Sequence, residues 1–210
     1  LVCKKVEELQ GFLTKYSLID STMEEMERKE VGWVTYYDEE YPPLLRETHD
    51  FPLVLYVKGN VSLLTSDCIA VVGTRTPTRY GQKVCDSFTH DFSRAGLTVV
   101  SGFARGVDSV AHKACVITDS PTIAVVAAGL DVCYPAENRG LYESILSSGG
   151  AVISEYPLGT KPLQYHFPER NRIISGLSRG VFLPEATLKS GSLITARLAV
   201  EQGKELFVVP

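Results

Sequence analysis

Short apolar runs in this sequence are followed at once by residues suited to holding an anion. After Ile69–Gly73 come Thr74, Arg75, Thr76 and Thr78, and the run Leu97–Gly102 leads into Phe103, Ala104, Arg105 and Gly106 by way of Ser101-Gly102. Thr122–Gly129 is followed by Leu130-Asp131 and then Tyr134-Pro135-Ala136-Glu137-Asn138-Arg139, and Ala151–Glu155 by Tyr156-Pro157. Gly180–Glu185 precedes Ser190-Gly191-Ser192-Leu193-Ile194-Thr195, which opens a helical pattern. Glycine lets backbone approach a phosphate closely, and the free N–H groups of a helix N-terminus attract anions. Ser190, Ser192 and Thr195 add hydroxyl donors. Arg75, Arg105, Arg139, Arg170 and Arg172 add charge in a forked geometry that matches phosphate oxygens. A tight turn with a solvated arginine explains any one of these loops equally well; the whole row along one edge favours a polyanion.

The segment from His166 to Ser178 carries a second set of candidates. Pro168 suits a helix start, which puts Arg170, Asn171 and Arg172 in the first turn, where the helix dipole disfavours cations. An anionic ligand, or ion pairs with Glu155 or Glu185, would account for them. Tyr165 and Phe167 are candidates for stacking on nucleobases; packing beneath the helix is the alternative.

Enzyme chemistry finds less support. Gly176-Leu177-Ser178-Arg179-Gly180 satisfies G-x-S-x-G, but a nucleophile elbow follows a strand and opens a helix, whereas this one ends a helix and opens a strand. There is no G-x-x-x-x-G-K-[ST] P-loop. The first glycine loop has only Gly73 and Gly81, and the second strand ends in Ser101-Gly102 without the acid that would hold an NAD ribose. Asp108 and His112, four apart, would face each other on a helix, near Ser101 or Ser109. A Ser–His–Asp hydrolase is conceivable there, but a helix-stabilising contact is the simpler role. No cofactor and no metal is expected.

These loops need elements to hold them in line. From Ile69 onward, apolar strands alternate with helical stretches near 79–95, 106–117, 140–148, 170–178 and 191–203, the pattern of a parallel sheet covered on both faces. The expected fold is a doubly wound, mainly parallel Rossmann-like α/β sheet with helices on both faces. It is preceded by a small N-terminal helical segment. Two domains are expected: 1–40, a helical segment with Val6, Leu9, Phe12, Leu13, Leu18, Ile19, Met23 and Met26 on apolar faces, and 41–210, the Rossmann-like domain. Val31–Tyr37 and Phe51–Lys58 read as strands.

The net charge of −4 argues against a uniformly basic nucleic-acid binder. Residues 1–60 hold 7 basic and 12 acidic side chains, and residues 61–210 hold 14 and 13, so a phosphate site must be a local cluster. The five cysteines are scattered with no C-x-x-C pair, which reads as cytosolic free thiols. No apolar run approaches the roughly 18 residues of a membrane span, so a cytoplasmic protein is expected. The sequence begins with Leu1 rather than Met and stops at Val208-Val209-Pro210 within a strand pattern, which reads as trimmed at both ends.

In order along the chain, Ile69 to Arg75, Ser101 to Asp108 with Ala111-His112, Gly129-Leu130-Asp131 with Tyr134 to Asn138, Ile153 to Pro157, Phe167 to Ser178, and Glu185 with Ser190 to Ala196 form six blocks. Together they resemble the DNA processing protein A family (DprA, also called Smf) over nearly the whole chain. The resemblance implies a non-catalytic Rossmann-like core that binds and protects single-stranded DNA, helps load a RecA-type recombinase in natural transformation, and forms homodimers. It assigns DNA contacts to Arg75, Ser101, Gly102, Arg139, Phe167, Arg170, Asn171 and Arg172. The row of loops adds Arg105, Ser190, Gly191 and Ser192. Family members often carry an N-terminal helical module and a C-terminal winged helix; the first reads here as at most partial and the second is not among these residues. Ala127-Ala128-Gly129 replaces a more glycine-rich loop. The alternative is a nucleotide-processing enzyme like the lysine-decarboxylase-like phosphoribohydrolases. Their P-G-G-x-G-T-x-x-E run bears a catalytic glutamate, and this chain has no acid at that spacing.

Overall fold

The computed structural model describes residues 20–188 and 190–210. The helical positions read between residues 1 and 19 lie outside the described residues. A helix whose described part is 20–28 (α1) leads to strand β1 (Val31–Thr35), the short helix α2 (Pro43–Arg46) and strand β2 (Val54–Gly59). Strands and helices then alternate: β3 (Cys68–Val71), α3 (Arg79–Arg94), β4 (Thr98–Ser101), α4 (Val107–Ile117), β5 (Thr122–Val125), α5 (Arg139–Ser147), β6 (Ala151–Ser154), α6 (His166–Leu177), β7 (Gly180–Leu183), α7 (Ser192–Glu201) and β8 (Glu205–Val208).

The strands form one sheet in the order β1-β2-β6-β5-β4-β3-β7-β8. β3 to β8 are parallel, while β2 joins β6 and β1 joins β2 in antiparallel pairs. The chain enters the parallel sheet at β3, steps outward through β4, β5 and β6, then crosses back to lay β7 and β8 on the other side of β3. This is the doubly wound α/β architecture expected from the alternating pattern. Its switch point lies between β3 and β7, where the loops leaving the two strands diverge and leave a crevice.

Successive strand residues point to opposite faces. Ala70, Val100, Val125, Ile153 and Val181 pack with Ile173, Ile174, Leu177 and Ala199 of α6 and α7. Ile69, Val71, Val99 and Phe182 pack against Cys85, Val107, Ala111 and Cys115 of α3 and α4. Burial on both faces explains why the strands read as continuous apolar runs. Met26 and Val31 join Phe103, Ala124, Val152 and Ile145 in a third cluster, so α1 and β1 belong to the same packed body. The sheet therefore begins at Val31, ahead of the boundary drawn between residues 40 and 41.

His112 is fully buried, but its partner is Thr122, not Asp108. His112 Nδ1 lies 2.9 Å from Thr122 Oγ1, whose hydroxyl donates onward to Val99 O at 2.7 Å. The imidazole is thus the donor to Thr122, and Nε2 has no hydrogen-bond partner. Burial holds the His112 pKa down at about 3. In the unfolded chain an imidazole takes up a proton at about 6.5. As pH falls below that value the unfolded state binds the extra proton, so this contribution to stability is present above pH 6.5 or so and is lost toward the folded value. The slope is at most about 1.4 kcal/mol per pH unit. The urea midpoint should be lower at pH 5 than at pH 7, and His112→Leu should remove this part of the dependence; an unchanged slope in the variant would assign it elsewhere.

Candidate functional site

At the switch point a cleft of about 730 Å³ opens beyond the carboxyl ends of the strands. Its walls include the loop Gly73–Arg75 after β3, α6 through Phe167, Asn171 and Ile174, and the start of α7 through Ser190, Gly191, Ser192 and Thr195. The α7 start is where main-chain N–H groups are left without intrahelical partners. Ser190 Oγ and Ser192 Oγ lie 2.6 Å apart beside it. Asp108 is the one carboxylate among the described residues lining the cleft, and it is buried.

Arg75 is exposed at the rim, with its guanidinium 6.0 Å from the centre of the Phe167 ring. Among the described residues no carboxylate lies within ion-pair distance of it, whereas Arg105, Arg172, Arg179 and Arg197 all have acidic partners. Arg75 is therefore the cation in this cleft whose charge is available to a ligand.

A recess of about 40 Å³ continues from the cleft beneath the loop after β4. Its floor is apolar, with Val126, Ala127 and Ala128 buried, and its rim carries Phe167 and Tyr134. Those two rings are 5.6 Å apart and tilted by 54°. Tyr134 is 49% exposed. Nothing local to Tyr134-Pro135 reveals that the loop after β5 and the start of α6 bring this ring to Phe167. Tyr165 is exposed but sits against His166 and does not line the cleft.

Several expected contacts lie elsewhere. Ser101 is fully buried and its hydroxyl donates to Val71 O at 2.6 Å, bracing β4 against β3 instead of facing a ligand. Gly102 lines the recess. Arg105 also lines it but is paired with Glu137. Arg139 begins α5 and faces a separate groove with Lys29, Lys58 and Tyr142. Arg172 leaves α6 on another side, with Nε 3.0 Å from Asp50 and Nη2 2.6 Å from Glu155, the ion pair named as one alternative. Glu185 instead accepts from the backbone N–H and hydroxyl of Thr78.

Arg170 is buried at 4% exposure. α6 starts at His166, earlier than Pro168 suggested, because a proline tolerates any first-turn position whose N–H has no helical partner. Arg170 consequently falls in the second turn and points inward. Its Nη1 donates to Gly102 O at 2.6 Å and to Val125 O at the end of β5. Asp108 sits opposite and accepts from Ala104 N at 3.2 Å. Burial pushes the Asp108 carboxyl up and the Arg170 guanidinium down to about 10, each opposed by the other's charge, so Arg170 stays cationic at neutral pH. The hydrolase triad is not assembled: Ser109 Oγ donates to Ala104 O and His112 turns to Thr122. Among the described residues no group of three or more His, Cys, Asp or Glu side chains is placed to hold a metal, and no helix is long and apolar enough to cross a membrane.

An open, mainly parallel sheet with helices on both faces and a cleft at its switch point defines a Rossmann-like domain. The chain belongs to the family described as DNA recombination-mediator protein A, whose model matches residues 32–210. It is 48% identical to Protein Smf of Escherichia coli over 81% of this chain and 46% of that protein, so it spans about half the length of that relative. It is 41% identical to DNA processing protein DprA of Streptococcus pneumoniae, whose X-ray structure superposes with a TM-score of 0.83 over 95% of this chain and 70% of the other. A structure of DNA processing protein A from Helicobacter pylori, described for its single-stranded DNA binding mode, is 34% identical with a TM-score of 0.78, covering 86% of this chain and 81% of that one.

Proposed function

We propose that this domain binds single-stranded DNA without chemical turnover. Phosphate lies against Arg75 and the start of α7, and a base lies against Phe167 and Tyr134. The observation that carries the reading is the Arg75 guanidinium, with no ion-pair partner among the described residues, beside the half-buried Phe167 ring and the exposed Tyr134 ring in one cleft. A phosphate-and-base polymer uses both features, whereas a simple anion uses only the first. The single-strand binding named for the Helicobacter pylori relative supports it. In the cell the protein acts in the cytoplasm, as a homodimer that protects incoming strands and helps load a RecA-type recombinase during natural transformation and homologous recombination. Its family's description as recombination mediators supports that placement. A nucleotide-processing enzyme would need a free carboxylate in the cleft, and Asp108 is buried and accepts from Ala104 N.

Titrating an oligo-dT with salt tests the binding step. Log affinity should fall linearly with log salt, by about 0.7 in slope for each phosphate contacted; a flat response sinks the reading. Incubation with nucleoside monophosphates should release no free base, and release would favour the enzyme. Co-sedimentation with a purified RecA-type recombinase on single strands tests the loading step.

A further inference from the structure

We propose that the buried side chains of Arg170 and Asp108, each bonded to the backbone of the same loop, together form a positioning device. It holds the Gly102–Arg105 loop in the shape that forms the recess beside Phe167, and Arg170 acts on a bound strand through that loop without touching phosphate. The inference rests on reading the cleft as a single-stranded DNA site.

Side chains from three elements anchor this loop. Arg170 of α6 ties Gly102 O, and through Val125 O ties it to the end of β5. Asp108 of α4 takes Ala104 N, and Ser109 one residue on donates to Ala104 O at 2.7 Å. Asn138, just ahead of α5, donates to Phe103 O at 3.1 Å and to Ser109 Oγ at 2.9 Å. Phe103 between them has φ 59°, a left-handed conformation that a bulky residue keeps only where its surroundings over-determine it. A Cβ on Gly102 would lie 2.7 Å from Asp108 Oδ2 and 2.9 Å from Arg170 Nη2, so the glycine makes room for both side chains. Phe167 and Arg170 are three apart on α6 and share a face. The guanidinium that anchors the loop is therefore rigidly spaced from the ring that faces the recess.

A phosphate ligand and a positioning residue differ in salt response. Arg170→Lys keeps a charge opposite Asp108 but loses the fork that reaches two carbonyls. It should stay folded, bind oligo-dT about tenfold more weakly through lost preorganisation, and show an unchanged log–log salt slope. Amide exchange across Phe103–Arg105 should speed up. The double variant Asp108→Leu/Arg170→Met removes both buried charges together, so neither is left uncompensated, and should show the same loss at the same slope. Parental affinity in either folded variant overturns the proposal, as does a slope reduced by about 0.7, the mark of a lost phosphate contact. Arg75→Ala measured alongside separates the two failures: if it leaves binding untouched, the reading of the cleft is wrong, and amide exchange alone then judges the anchoring.

Discussion

Arg75→Ala should lower affinity for single-stranded oligonucleotide by roughly ten- to a hundredfold, the equivalent of about 1.5–3 kcal/mol for one charge-assisted hydrogen-bonded contact. The guanidinium is exposed and has no ion-pair partner among the described residues, so removing it leaves nothing stranded in the fold. The urea midpoint should stay where it was. One phosphate contact disappears, so the slope of log affinity against log salt should shrink by about 0.7. Arg75→Lys should recover the slope but not the whole affinity, because an ammonium keeps the point charge and loses both the fork and the broad contact over Phe167. Equal binding by the alanine variant and the parent at low salt would remove Arg75 from the site.

Arg170→Met should act on folding first. It removes the positive charge that opposes the burial of the Asp108 carboxylate and takes the donor from Gly102 O and Val125 O, and leaving a buried charge uncompensated costs about 3–5 kcal/mol. Against a typical domain stability of roughly 5–15 kcal/mol, that is a large share. Urea unfolding at neutral pH should show a clear drop in midpoint, and Asp108→Leu in the same chain should restore most of it, since two apolar side chains of similar volume replace two buried charges that were costly to desolvate. A single variant as stable as the parent would mean that Asp108 finds another partner or takes up a proton. The two arginines thus separate by measurement: one changes binding and leaves stability alone, the other changes stability first.

The sheet was largely legible along the chain. Apolar runs from Ile69 onward, spaced by helical stretches, match β3 to β8 closely, because burial on both faces leaves a signal in every residue of a strand. The strand read at Thr122–Gly129 stops in the structure at Val125, whose carbonyl accepts from Arg170, a partner far away in sequence. The strand at Val31 was also legible, but its place in the sheet was not. β1 reaches the sheet through β2, and β2 pairs with β6, so membership depends on a contact between Tyr56 and Ser154 that no local pattern records.

The row of glycine and hydroxyl loops at the strand ends was a matter of sequence alone: strands in a parallel sheet all end on one edge, so the residues following them gather there whatever the packing. Which guanidinium in that row meets solvent was decided in three dimensions. Residues on a helix are turned by about 100° from one to the next, so Arg170, Asn171 and Arg172 leave α6 in three directions, toward the strand ends, the cleft and the Asp50–Glu155 pair. Side by side in the chain they look like one basic motif. Burial and the position of a few carboxylates turn one into an anchor and another into an ion pair, and leave Arg75, on a loop apart from them, as the charge free to meet a strand.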